Sequence, residues 1–332
     1  MFNRLSTLTI NSALFARFAA LLEGIGRQRP GLLSVLTYHR VDKLDASPGL
    51  YPGLISATPE AFEQQMRYLA TCYQVISISD VLDAAETRRT LPPRSVLITF
   101  DDAYQDFAKH AWPVLKHYRL PVALFVPTAF PDHVERTFWW DRLYHALATT
   151  PGREWVTPAG PVQLETTTQR LRAFKHLKEH VKSRPHAEAM AWVEQACREL
   201  SALPPTHSVL GWATLRQLAR EGVTLGAHTR THPLMNRISP EEAQAEAIGS
   251  LQDLEREIGS VLPIFAYPGG GFTDKVVEAL KHQGFALAFT TQAGVNDWKY
   301  ADRLRLRRVN VSQRTNLAVL QLRLSRLPIH RN

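Results

Sequence analysis

The stretch VLITFDDAY, residues 96–104, constrains this chain more than any other. A run of apolar and β-branched residues stops on two adjacent carboxylates, Asp101 and Asp102, and an amphipathic stretch carrying Phe107, Val114 and Leu115 follows. That pattern reads as a buried strand, a loop and a helix. Both acids therefore stand at the C-terminal end of a strand, where parallel α/β folds gather their functional loops on a rigid backbone. Adjacent carboxylates point apart, so one can hold a cation while the other stays free as a base, the cation's field keeping both ionised. Taken alone, an Asp pair more often marks a turn or a helix N-cap.

The same rhythm recurs along the chain. Residues 32–41, LLSVLTYHRV, form an apolar run ending in Tyr38, His39 and Arg40, and a capped helix begins at Thr58. Short strands are expected at 75–78 and 122–127, with a helix from Ser79 to about Glu86 between the first of them and the central strand. Strict β–α alternation predicts a parallel sheet with right-handed crossovers, open or closed into a barrel. From 128 to about 210 the rhythm changes. Phe138-Trp139-Trp140-Asp141 starts a helix, a Pro/Gly loop is expected over 150–161, and polar helices over 170–181 and 186–200, which together read as a helical insertion on the functional side. Alternation then resumes, with strands expected at 223–228, 264–267 and 285–290 and helices at 212–221, 241–258 and 274–284.

At 332 residues, 45% hydrophobic and 21% charged, the chain is long enough for one barrel-sized domain and too apolar for a disordered one. Its net charge of +8 suits an anionic partner. Nucleic acid is not indicated, because no basic tract with interleaved aromatics and no zinc-finger spacing is present. Cys72 and Cys197 read as two free thiols in a reducing compartment. No run approaches the ~18 apolar residues of a membrane span. Over residues 1–30, Leu14, Phe18, Leu21, Leu22 and Ile25 share one helical face and Arg4, Arg17, Arg27 and Arg29 supply positive charge. Such an amphipathic helix packs on the domain or lies on an anionic membrane surface. Arg17 interrupts any signal-peptide core, so the expectation is a cytoplasmic protein, peripheral to the inner face of the membrane.

A second polar cluster, GAHTRTHP at 226–233, again follows an apolar strand. His228 and His232 are four apart, so a helical turn would put both imidazoles on one face. Asp plus two His makes an open Zn²⁺ shell, three protein ligands leaving room for water and a substrate oxygen. The run HLKEH, from His176 to His180, matches a metalloprotease pattern. Lys175, Lys178 and Lys182 surround it with charge hostile to a dication, and a solvated helix face is the expectation there. A third cluster, FAYPGGG at 265–271, offers glycines that let backbone N–H groups approach a ligand, or an ordinary turn before a helix.

Taken in order, TFDDAY at 99–104, HTRTH at 228–232 and FAYPGG at 265–270 resemble the motifs of the polysaccharide deacetylase family, metal-dependent carbohydrate esterases. The opening LTYHRV at 36–41 looks like the branch of poly-N-acetylglucosamine deacetylases associated with exopolysaccharide synthesis. The resemblance spans about residues 33–315. It implies a distorted (β/α)7-type barrel over 31–320, with the helical insertion at about 130–210 and a tail at 321–332. It also implies Asp101 as general base, Asp102, His228 and His232 as ligands of one divalent metal, Zn²⁺ or alternatively Co²⁺ or Ni²⁺, and His39 as the acid. Two departures stand out. Many members carry Arg where this chain has Ala266, and Tyr or Trp where it has Gly269. Arg308, in LRLRRVNV at 304–311, is expected to steer the base instead. The family's LxH acid motif is missing, His330 falling in the tail, which favours His39. Tyr104, Tyr267 and Trp140 are expected to offer faces to sugar rings, with Pro268 and Gly269 beside them. The implied activity is removal of N-acetyl groups from amino sugars of a polysaccharide or a lipid-linked oligosaccharide. Hydrolysis of another C–N bond, or carbohydrate binding without catalysis, are the rival readings.

Overall fold

The computed structural model describes residues 29–325 other than 134, 159, 201–204 and 206–207. Residues 1–28, where the amphipathic helix is expected, and residues 326–332 of the tail lie outside this range. The strands are β1 (Leu32–Tyr38), β2 (Arg40–Val41), β3 (Ile55–Ala57), β4 (Gln74–Val75), β5 (Ser95–Phe100), β6 (Ala123–Val126), β7 (Glu154–Thr157), β8 (Gly160–Gln163), β9 (Thr224–Ala227), β10 (Ile264–Ala266), β11 (Leu287–Ala293), β12 (Asn296–Asp297) and β13 (Leu306–Asn310). The α-helices are α1 (Pro59–Cys72), α2 (Ile78–Glu86), α3 (Trp112–His117), α4 (Trp139–Thr149), α5 (Thr167–Ser183), α6 (His186–Glu199), α7 (Trp212–Arg220), α8 (Pro240–Ile258), α9 (Asp274–His282) and α10 (Leu317–Leu324).

Seven strands, β1, β5, β6, β9, β10, β11 and β13, close a ring in chain order, every neighbour parallel and β13 returning to pair with β1. This is the expected (β/α)7 barrel. Alternation along the strands sorts their side chains into two cores. Val35, Leu97, Phe125, Ile264, Phe289 and Leu306 fill the interior, while Leu36, Ile98, Leu124 and Val309 pack outward beneath the helices. Gly226 belongs to this packing, because a Cβ there would lie 2.6 Å from the Phe125 ring and 2.9 Å from Ile264. Helix starts follow local chemistry: Thr58 caps α1 ahead of Pro59, and Ser239 with Glu242 forms a capping box on α8.

Of the differences from the sequence expectation, which include the short strands β2, β3 and β12 and helix α10 reaching into the expected tail, two stand out. The closing strand β13 carries Arg307 and Arg308, whose polarity hides a strand; Arg308 shares the interior face with Leu306. The Pro/Gly segment at 150–161 contributes instead to an antiparallel hairpin, β7 with β8, in which Val156 faces Pro161. The Leu164 N–H bonds the Arg153 carbonyl, and hydrogen-bonded pairs alternate along the ribbon, so Pro161 opposite Val156 sits in a non-hydrogen-bonded pair and costs no ladder bond.

The insertion is tied to the barrel through a buried carboxyl. Asp141 at the start of α4 accepts a hydrogen bond from the Tyr104 hydroxyl at 2.6 Å and from the Tyr51 N–H at 2.7 Å. The Trp140 indole donates to the same Tyr104 oxygen at 2.9 Å. Burial pushes the Asp141 carboxyl up to about 7, against the pull of the Tyr104 and Tyr51 donors. Beside it the buried Arg40 pairs with Asp106 and Asp42. A native carboxyl titrating near that value keeps its proton where an unfolded one, at about 3.9, has lost it. Its contribution to stability therefore falls as the pH rises through that interval. The stability of the wild type relative to Asp141→Asn, followed by urea denaturation between about pH 4 and pH 7, is expected to decline with rising pH. A constant difference would mean that Asp141 does not hold this proton.

Candidate active site

The C-terminal ends of the barrel strands open into a cavity of about 240 Å³ lined by His39, Asp101, Asp102, His228, His232 and Gly269, among others. Each comes from a strand end or the loop that follows it: β1 for His39, β5 for the two acids, β9 for the histidines and β10 for the glycine. The chain leaves β5 through two consecutive left-handed residues, Asp102 at φ 73° and Ala103 at φ 50°. Such backbone costs of order 1–3 kcal/mol per residue outside glycine, and it persists where packing enforces it. Here it separates the two carboxylates.

Asp101 continues the interior face of β5 and meets Arg308 across the top of the barrel. The guanidinium holds both carboxylate oxygens, at 2.8 and 2.7 Å, and its Nε donates to the Thr290 carbonyl at 2.7 Å. Both side chains are buried. Burial alone would raise the Asp101 carboxyl, but the charge of Arg308 and its hydrogen bonds hold it below the ordinary carboxylate range.

Asp102 turns to the histidines. The Nε2 atoms of His228 and His232 lie 3.4 and 3.2 Å from its Oδ1. His228 Nδ1 is 2.8 Å from the Ala266 carbonyl, which can only accept, so Nδ1 carries the proton and the neutral ring presents its Nε2 lone pair. Asp102 Oδ1 is buried without a hydrogen-bond donor. A carboxylate oxygen and a facing imidazole lone pair repel unless positive charge lies between them, so this donor set fits a divalent cation. The three donor atoms lie within 4.8 Å of one another, and among the described residues no other trio of potential ligands is so gathered. The histidines do not share a helical turn, as their spacing suggests. They converge through a loop with Thr229 and His232 in left-handed backbone, closed by the His232 N–H donating to the Thr229 hydroxyl.

Other expected site residues divide. Trp140 lines the cavity, stacked on Phe138 at 4.5 Å and edge-on to His232 at 4.9 Å. Gly269 lines it at φ +55°, where a Cβ would lie 2.7 Å from Leu234. Pro268 is buried beneath it. Tyr104 and Tyr267 offer no face to the cavity. Their hydroxyls are engaged inside the fold, by Asp141 and the Leu304 carbonyl, and their rings pack on Phe138 and on Phe265 with Phe272. His176 is exposed on α5, while His180 accepts from Arg184 Nε at 3.0 Å and leans on Trp192. Neither joins a metal set.

Sequence reasoning missed Tyr51, Trp139, Lys178, Lys182 and Thr291, which also line the cavity. For the lysines a signal existed. Phe174, Leu177 and Val181 are buried on α5, and Lys178 and Lys182 stand one residue beyond Leu177 and Val181, in the same i, i+3, i+4, i+7, i+8 stripe. The helical period therefore aimed them inward.

A parallel barrel with such a trio and a separately paired carboxylate at its C-terminal mouth defines a hydrolase-type centre. Residues 88–288 match the family model described as polysaccharide deacetylase, so the chain belongs to that family, carbohydrate esterases that act on C–N amide bonds. It is 20% identical over 271 residues to YxkH of Bacillus subtilis (strain 168), covering 81% of this chain and 68% of that protein. Over 74 residues it is 32% identical to the poly-β-1,6-N-acetyl-D-glucosamine N-deacetylase of Escherichia coli (strain K12), 22% of this chain and 11% of that one. The solved Streptococcus pyogenes deacetylase PplD, in complex with acetate, superposes with a TM-score of 0.59 at 18% identity, covering 88% of this chain and 97% of that one. No helix among the described residues is long and apolar enough to cross a membrane.

Replacing Arg308 by Met leaves a buried carboxylate without its counter-ion, a change that costs ~3–5 kcal/mol. Denaturant titration is expected to show that loss, and Asp101→Asn in the same chain is expected to recover most of it. Equal losses in the single and double variants would mean that Arg308 acts through packing alone.

Proposed function

We propose that this chain removes N-acetyl groups from amino sugars of an exopolysaccharide or its lipid-linked precursor, using one divalent ion, Zn²⁺, held by Asp102, His228 and His232. The observation that carries this reading is the division of the two adjacent carboxylates, Asp101 on Arg308 and Asp102 on the histidines. Co²⁺ or Ni²⁺ would suit the same donors. When bound, the ion supplies Lewis acidity towards the amide carbonyl and the attacking water.

Asp101 takes the proton of that water. Arg308 keeps it ionised and fixes its plane, leaving the remaining lone pairs for the transfer. Arg308 does so in place of the arginine that many family members carry where Ala266 stands. Ala266 itself lies in the barrel interior and orients His228 through its carbonyl. The Gly269 backbone N–H is the protein's donor to the tetrahedral oxyanion. His39, in the same cavity, protonates the departing nitrogen, since an amine leaves far better than its anion. The short match to the E. coli enzyme supports N-acetylglucosamine as the sugar. We place the reaction at the cytoplasmic face of the membrane, with the basic segment 1–28 against anionic lipid.

Acetate release from β-1,6-linked N-acetylglucosamine oligomers by the zinc-loaded chain tests this. Asp101→Asn and His39→Ala are each expected to lower kcat ~10²–10⁴-fold with metal content retained, and full activity in either would remove that residue from the mechanism. With Arg308→Met, the largest influence opposing burial at Asp101 is gone, so the acidic limb of the kcat/KM profile is expected to move to higher pH. An unmoved limb would separate Arg308 from the base.

A further inference from the structure

The cavity carries positive charge that the hydrolysis just described does not use. Lys178 and Lys182 stand one turn apart on α5 and both line it, with Asp101, Asp102 and the two histidines. Both are half-buried, flanked by the buried Leu177 and Val181. Lys178 has its ammonium 5.9 Å from the Tyr51 ring centroid and only a loose pair, at 3.7 Å, with the exposed Glu179. Burial, then the like charge of Lys178, holds the Lys182 ammonium below its ordinary range. Among the described residues, no acid elsewhere in the cavity balances them. Asp101 is neutralised by Arg308, and Asp102 is committed to the histidines.

Two adjacent, partly desolvated ammonium groups repel one another and lose hydration, a cost that an arriving anion removes. A neutral glycan offers no such compensation. Lysine binds phosphate as a point charge, and two such charges side by side match the nearly double charge of a phosphate ester, whereas a carboxylate carries only one. We infer that Lys178 and Lys182 form an anion subsite beside the deacetylation centre, so that the substrate is an N-acetylated amino sugar carrying a phosphate or diphosphate ester. This rests on the deacetylase reading above and narrows its substrate class. It also gives the insertion a role, since α5 belongs to it.

The test uses the full zinc-loaded chain and four substrates: neutral N-acetylglucosamine oligomers, N-acetylglucosamine 1-phosphate, a polyprenyl-diphosphate-linked N-acetylglucosamine in detergent micelles, and an N-acetylglucosamine–glucuronic acid disaccharide. At low ionic strength, kcat/KM for acetate release from a phosphate-bearing substrate is expected to exceed that for the neutral oligomers by ~10-fold or more. That ratio is expected to fall at least ~10-fold in K178M/K182M and to recover in K178R/K182R. Preference for the lipid-linked over the soluble phosphate would assign the anion to a lipid carrier, and equal rates to a sugar phosphate. No preference for phosphate, an unchanged ratio in the Lys→Met variant, or greater preference for the uronate would overturn the assignment. Absence of acetate from every substrate would count against the deacetylase reading alone. Calorimetric binding of N-acetylglucosamine 1-phosphate then decides the subsite: binding lost in K178M/K182M supports it, and binding absent from the wild type or unchanged in the variant overturns it.

Discussion

The buried ion pair between Arg308 and Asp101 governs the rest of this structure. Their strands, β13 and β5, flank β1, so the pair bridges the interior across the strand where the ring closes. Two charges taken out of water are costly, and only good geometry repays the cost. Here the guanidinium binds both carboxylate oxygens and spends its Nε on the Thr290 carbonyl. Asp101 is thereby held ionised and fixed in a dry place. Its neighbour must then turn elsewhere, and the left-handed backbone at Asp102 and Ala103 makes that turn. The histidines meet Asp102 from the next strand end round the mouth but one, β9, with β10 behind supplying the carbonyl that orients His228.

Much of this was legible in the sequence because strand ends are. Apolar runs stopping at Asp101, at His228 and at Tyr267 located three strand ends on one face of the barrel, and the β–α rhythm supplied the parallel sheet. The closing strand was not legible as a strand. Arg308 points inward to a carboxylate two ring positions away, and no local pattern announces a buried cation with a distant partner. The hairpin at 154–163 was hidden by its proline and glycine, which a two-stranded ribbon tolerates. Spacing alone also misled at His228 and His232. Four residues fit a helical turn, whereas a loop with two left-handed residues brings the rings together equally well. Tyr104 and Tyr267 show the limit for aromatics, since their hydroxyls found partners inside the fold and drew the rings in after them.

Helix α5 holds the most instructive contrast. Read by residue identity, its HLKEH run draws attention to His176 and His180, one exposed and the other occupied by Arg184 and Trp192. Read by period, the same helix presents Phe174, Leu177, Lys178, Val181 and Lys182 on one stripe. Two of the three lysines that looked like a solvated deterrent to metal, Lys178 and Lys182, reach the cavity. An insertion that departs from the barrel's rhythm thus supplies wall, charge and, through Asp141, its own anchor to the loops around the site.

The division of work between the two adjacent carboxylates is the central claim, and anomalous diffraction at the zinc edge from crystals of the loaded chain tests it most directly. The account expects one ion within ~2.0–2.2 Å of Asp102, His228 Nε2 and His232 Nε2, with Asp101 still paired to Arg308. An ion coordinated by Asp101 with Arg308 displaced, or one seated at His176 and His180, would contradict it.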